Sequence, residues 1–210
     1  MLVAFDFEGG IAESDPFVRL AEQHGTGDEM AAVLERLWNG DLDPETGIRS
    51  ATDHLSGMPF SEAEDVFERL QIRPEASSLL SRLHAANHHV AIVTDAPELA
   101  VRYCLDPAEL DVDTVIANDL PAENGAFTGD IEGPLVGRSK ADALDELATG
   151  AGYAMADTVA VGDDRRDLPM LQAAGLGVGI DPVPVVDAQA DLSVPSLNRL
   201  ELTFEERGVL

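Results

Sequence analysis

The sequence predicts an α/β protein built on a doubly wound parallel sheet, with a small helical bundle inserted after the first strand and a short β-hairpin. Three observations predict it. Short segments rich in Val, Ile and Phe are apolar almost without interruption, the pattern of parallel strands covered on both faces. Helical periodicities alternate with them through most of the chain. From about Asp15 to Ile72 no strand pattern remains, and only amphipathic helical stretches separated by Gly, Asp and Pro breaks are found.

In chain order, the first strand is expected over Leu2–Phe7. The inserted interval carries helical patterns at Phe17–His24, Glu29–Trp38, Glu45–Leu55 and Ser61–Leu70. A helix over Glu75–Asn87 follows, with Pro74 near its start and Leu79, Leu80 and Leu83 on its apolar face. Strands are then expected at His89–Thr94 and Thr114–Ala117. The segment Pro121–Thr128 holds Asn124-Gly125 between short extended runs, which is a hairpin signal. A helix over Ser139–Thr149 opens on a capping-type serine, and the strand Thr158–Val161 follows it. The helix Leu168–Ala174 stops at Gly175, before a last strand at Leu176–Ile180. The expected division is a core of residues 1–14 and 73–210, with the hairpin near 119–133, and an inserted helical unit at 15–72.

Composition narrows the function classes. The chain has 210 residues, room for one sizeable core and a small insertion. It holds 40 acidic against 13 basic residues, a formal net charge of −27, so neither nucleic acid nor an anionic membrane is an expected partner. No run of about 18 apolar residues predicts a membrane span. The first residues lack the basic start of a signal peptide, which makes a cytoplasmic location the default expectation. The acids are scattered rather than gathered in a tail, as on a solvated surface adapted to a salt-loving cytoplasm. The single cysteine, Cys104, excludes an internal disulfide and a Cys-based metal cage. Lys140 is the one lysine beside 12 arginines; a compact ammonium can do what a planar guanidinium cannot.

Ligands of open α/β sheets bind outside the carboxyl ends of the strands. Three expected strands end in polar residues there: the first at Asp6 with Glu8 beyond it, another at Thr94-Asp95, and a third at Gly162-Asp163-Asp164 with Asp167 following. One such carboxylate reads equally well as a satisfied structural aspartate. Three converging on one edge point to a cation, and the absence of His and Cys among them to Mg²⁺. A cation, Lys140 and the Thr94 hydroxyl would together suit a phosphoryl group. Asp6 would then be the nucleophile, and Glu8 the acid and base that serves both half-reactions. The expected metal ligands are Asp6, Glu8, Asp163 and Asp167.

These residues resemble the four motifs of the haloacid dehalogenase superfamily of phosphohydrolases: Asp6-Phe7-Glu8-Gly9, Thr94, Lys140 and Gly162–Asp167, in order and over nearly the whole chain. Within it the chain looks most like the phosphoserine phosphatases, through Asn124–Gly133 and Asp157–Asp163. The resemblance implies a Rossmann-like core with a helical cap, Mg²⁺, and a small phosphorylated metabolite as substrate, handled by a monomer or homodimer. It also implies a cap residue for the substrate ammonium, by position Asp15, and an arginine for its carboxylate, by position Arg49. Asp15 reads alternatively as a helix N-cap before Pro16, and Arg49 as an exposed helix charge. Four positions depart from the family pattern: Glu8 for Asp, Gly10 for Thr, Asp95 for Gly and Arg166 for Asn. The first and third also occur in a relative resembling a phosphoserine-to-homoserine phosphotransferase. Phosphate transfer to an acceptor alcohol, another small phosphoester and a non-catalytic phosphate-binding role are therefore the alternatives to phosphoserine hydrolysis.

Other signals carry little. Gly175–Gly179 lies in an expected strand and lacks the helix that a dinucleotide loop needs, and His88-His89 point to opposite faces. Cys104 reads as a small buried hydrophobe.

Overall fold

The computed structural model describes residues 1–108, 110 and 112–210, with Trp38 described in its backbone alone. Among the described residues the main sheet is parallel, in the order β3-β2-β1-β6-β7-β8. Its strands are β1 (Leu2–Phe5), β2 (His89–Pro97), β3 (Thr114–Asn118), β6 (Thr158–Gly162), β7 (Leu176–Ile180) and β8 (Leu192–Val194). β1 lies in the middle, in register with β2 on one side (Phe5 opposite Ile92) and β6 on the other (Phe5 opposite Val161).

The period of two along each strand decides which layer a side chain joins. Val3, Phe5, Val90, Ile92, Val159 and Val161 enter one core with Leu79, Leu80 and Leu83 of α5 (Pro74–Ala85). α6 (Glu98–Leu105) and α10 (Leu197–Arg207) add Val101, Cys104, Leu200 and Phe204 to the same layer. Leu2, Ala4, Ala91, Val93 and Ala160 face the other core, against Ala143 and Leu144 of α7 (Lys140–Ala151) and Met170 and Leu171 of α8 (Leu168–Ala173). Val186, from the short α9 (Pro184–Asp187), completes that layer. Helices on both faces make the sheet doubly wound.

Between β1 and β2 come α1 (Pro16–His24), α2 (Gly27–Asn39), α3 (Pro44–Asp53) and α4 (Phe60–Phe67). Their amphipathic faces bury Phe17, Leu20, Met30, Leu34, Ile48 and Phe67 in the core shared with β1 and β2, joined by Leu55 from the turn after α3. Each fully buried side chain of this kind contributes about 1.5–3 kcal/mol of transfer free energy. The chain enters and leaves this bundle side by side: Ala12 pairs with Ile72, Glu13 N–H donates to Gln71 O and Arg73 N–H to Ile11 O. The hairpin β4 (Ala122–Glu123) and β5 (Ala126–Phe127) turns at Asn124-Gly125, both at positive φ. It reaches back to the bundle: Gly57 N–H donates to Phe127 O, Phe60 N–H to Gly125 O, and the Phe60 and Phe127 rings meet edge to face.

The observed elements follow the periodicities with small shifts at their ends. β2 runs on to Pro97, with a register irregularity between Val93 and Pro97. β8, α9 and α10 lie beyond the last expected strand, and α10 carries Leu197, Leu200 and Phe204 at helical spacing. β8 has three residues and α9 four, too few to establish a period.

Candidate active site

Every candidate phosphoryl-transfer residue stands at the carboxyl edge of the sheet. Asp6 follows β1 directly and is fixed by its N–H bond to Val161 O at 2.8 Å. The chain then turns tightly through Phe7–Ile11, with Glu8 extended and Gly9 at φ 71°. Thr94 and Asp95 lie in the last part of β2, and Asp163 to Asp167 follow β6. Lys140 is the first residue of α7, whose start is held by a reciprocal capping box between Ser139 and Asp142.

The lysine brings the pieces together. Its Nζ donates to Asp6 Oδ1 and to Asp167 Oδ1, each at 2.7 Å, with all three side chains buried. Asp167 is further oriented by accepting the N–H of Asp163 and Asp164 on Oδ2, at 2.9 and 3.2 Å. Thr94 Oγ1 donates to Glu8 Oε2 at 2.5 Å and accepts the N–H of Ala96 at 3.0 Å, so β2 aims the glutamate. Two buried oxygens have no partner among the described residues, Asp6 Oδ2 and Glu8 Oε1. Leaving a buried carboxylate oxygen unpaired is costly, and its persistence points to a missing ligand.

The charge balance points the same way. Burial and then Asp167 push the Asp6 carboxyl well above the usual carboxylate range. Burial, then Asp167 and Asp164, push Asp163 up to about 8. Burial would lower Lys140, but Asp167 and Asp6 outweigh it and keep it a firmly held ammonium. Lys140 with Arg166 leaves carboxylate charge in excess here, which a bound cation or a proton would offset. Carboxylate oxygens of Asp6, Asp163 and Asp167 can lie within 4.8 Å of one another. These hard oxygen donors, the uncompensated charge and the unpartnered Asp6 Oδ2 fit a divalent ion such as Mg²⁺. Glu8, also expected as a ligand, does not bring its carboxylate into this group; that carboxylate lies on Thr94.

Two of the departures noted in the sequence meet in space. Arg166 donates from Nε to Asp164 Oδ2 at 2.9 Å and from Nη1 to Asp95 Oδ2 at 3.4 Å. The negative charge of Asp95 at this edge therefore comes with its own cation. Burial opposes the Arg166 charge, but Asp164 and Asp95 outweigh it. Asn118, at the end of β3, was not singled out from sequence. Its side chain donates to Asp95 O and accepts the N–H of Leu135, tying β2 to the segment before Lys140. A polar residue ending a strand was the available signal.

Two cavities flank Arg166. One of about 440 Å³ holds Lys140 and Asp95 under Pro44 and Ile48 of α3. The other, about 690 Å³, is lined by Glu8, Asp15, Arg73 and Asp163. Asp15 caps α1, accepting the N–H of Phe17 at 2.7 Å, and burial followed by Glu8 raises its carboxyl to about 6. It is thus both a helix cap and a wall of the cavity. Arg49 is not brought to Asp15. About half exposed, it donates to Glu45 Oε1 and Ile131 O, and lines a separate hollow with Ser50, Asp53 and Asp130.

Comparison with known proteins agrees with this geometry. A family model described as haloacid dehalogenase-like hydrolase matches residues 3–172. A phosphoserine phosphatase of Halobacterium salinarum is 39% identical over 208 residues, 99% of either chain. The phosphoserine phosphatase SerB2 of Mycobacterium tuberculosis is 32% identical over 92% of this chain but only 47% of its own length. A solved structure described as a phospho-aspartyl intermediate analogue of phosphoserine phosphatase superposes with a TM-score of 0.89, at 26% identity over 97% of both chains. The motif residues at the sheet edge and the family match over most of the chain agree: this chain belongs to the haloacid dehalogenase-like hydrolases.

Proposed function

We propose that the protein is a Mg²⁺-dependent phosphomonoesterase that converts phosphoserine to serine and phosphate through an aspartyl-phosphate intermediate. The observation that carries this reading is Asp6: buried at the end of β1, held by Lys140 through one oxygen, with the other unpartnered. The relatives named phosphoserine phosphatase support the substrate.

Asp6, Asp163 and Asp167 would hold the cation, which supplies charge neutralisation for the phosphoryl oxygens. Lys140 would add its third N–H to the same oxygens, and Thr94 its hydroxyl once turned from Glu8. An Asp6 carboxylate oxygen forms a bond to phosphorus while the ester P–O bond breaks. Glu8 gives its proton to the departing serine oxygen. In the second half, water attacks phosphorus, Glu8 takes its proton, and the Asp6–phosphorus bond breaks to release phosphate. Residues 15–72 would act as the cap that closes over this edge and excludes water. A role in serine biosynthesis, in a high-salt cytoplasm, follows from the substrate and the charge of −27.

The test is phosphate release from phosphoserine in molar KCl, with and without Mg²⁺. Asp6→Asn should abolish it. Full activity in that variant would remove Asp6 as nucleophile, and full activity after chelation would remove the cation. Homoserine added to the same assay reads the transfer alternative by formation of its phosphate ester.

A further inference from the structure

Arg73 stands out among the arginines. In a chain with 40 acidic residues against 13 basic ones, a half-buried guanidinium has abundant carboxylates to pair with. Glu8, Glu13, Asp15, Asp163 and Asp164 line the same cavity of about 690 Å³. Even so, among the described residues Arg73 forms no ion pair, and its one side-chain bond runs from Nε to Ala12 O at 3.4 Å. Its backbone is fixed where the chain leaves the helical bundle, by the N–H bond to Ile11 O and by capping α5. Nε is therefore pinned from behind, while the two terminal nitrogens form a planar fork matched to a carboxylate.

On the same cavity stands Asp15, a carboxylate suited to an ammonium group. A fork for a carboxylate and a carboxylate for an ammonium, beside the edge that holds Asp6, match the two charged groups of an α-amino acid. Two arginines near the site are already paired: Arg166 with Asp164 and Asp95, and Arg49 with Glu45 in a different hollow. We propose that Arg73, and not Arg49, binds the α-carboxylate of the substrate and makes the enzyme prefer phosphorylated amino acids over phosphoesters without a carboxylate. This rests on the reading of the protein as a phosphatase for an amino-acid phosphoester.

The experiment compares phosphoserine with phosphoethanolamine, which keeps the ammonium and the phosphate but lacks the carboxylate. Arg73→Gln should lower kcat/KM for phosphoserine by roughly 10- to 100-fold, the weight of hydrogen bonds to a charged group. Phosphoethanolamine turnover should stay within about 2-fold of wild type, since no carboxylate contact is lost. Arg73→Lys, which keeps the charge without the fork, should fall between and serves if the glutamine variant folds poorly. Arg49→Gln should leave the ratio of the two substrates unchanged. Equal losses on both substrates for the Arg73 variants, or a selective loss in Arg49→Gln, would overturn the assignment. Calorimetric binding of phosphoserine to Asp6→Asn with and without Arg73→Gln reads the same contact without turnover. Equal affinities there would also overturn it. Failure of the underlying phosphatase reading would show separately, as no phosphate release by the wild-type protein.

Discussion

Replacing Gly9 by alanine tests how closely the first turn is packed against the cation site. Gly9 has φ 71° and ψ −40°, a conformation that L side chains rarely adopt. A Cβ built there lies 2.4 Å from Cγ, Oδ1 and Oδ2 of Asp163 alike. Ordinary contact is more than about 3.4 Å, so the carboxylate must retreat by roughly 1 Å or the turn must open. The backbone strain is worth about 1–3 kcal/mol. Displacing a reacting or ligating group by about 1 Å costs on the order of 100-fold in rate. The expected outcome is a loss of about 1–3 kcal/mol of stability in urea, and kcat/KM lowered by roughly two orders of magnitude. Half-saturation by Mg²⁺ should rise by about 10- to 100-fold. Gly10→Ala is the control, because a Cβ there meets nothing within 4 Å. An unchanged Mg²⁺ curve in Gly9→Ala, or equal damage from Gly10→Ala, would refute the close packing of turn and carboxylate.

Further outcomes can be measured with the same protein. Lys140→Met leaves Asp6 and Asp167 facing each other without their shared ammonium; stability at neutral pH without metal should drop by about 3–5 kcal/mol, read by urea unfolding. Folded Asp15 keeps its proton up to about 6, above an unfolded aspartate, so its stabilising contribution is complete at low pH and is lost as pH rises through about 6. As pH falls through the same value its anion disappears, and the kcat/KM ratio of phosphoserine to a phosphoester lacking the amine should fall with it. The net charge of −27 predicts a melting temperature that climbs between about 0.1 and 1 M KCl, as the screening length shrinks from about 10 to 3 Å. A flat salt curve would mean the scattered acids do not strain the fold.

How much of the site was legible in the sequence depends on the range of the forces involved. Strand alternation, capping at Ser139 and the turn at Asn124-Gly125 are set by neighbours a few residues away, so the elements could be read directly. Asp6, Thr94, Asp163 and Asp167 were legible because parallel strands deliver their C-terminal residues to one edge. Lys140 was legible because the chain holds no other lysine. The meeting of Arg166 with Asp95, across 71 positions, and the link from Asn118 to Leu135 exist only once β2, β3 and β6 are ordered in the sheet.

The clearest division lies between Arg49 and Arg73. Sequence position and family resemblance select Arg49 of α3, but a helix turns about 100° per residue, and packing decides which face points inward. Gly47 is pressed onto Leu37, where an added Cβ would lie 2.6 Å from Cδ1. That contact helps to set the rotation of α3 so that Ile48 faces the catalytic cavity and Arg49 the neighbouring hollow. The sequence by itself determined the layered fold and the candidate residues at the sheet edge, because periodicity and strand ends are local properties. Which hollow Arg49 lines was decided only by the rotation of α3, a property of packing between segments that no local pattern records.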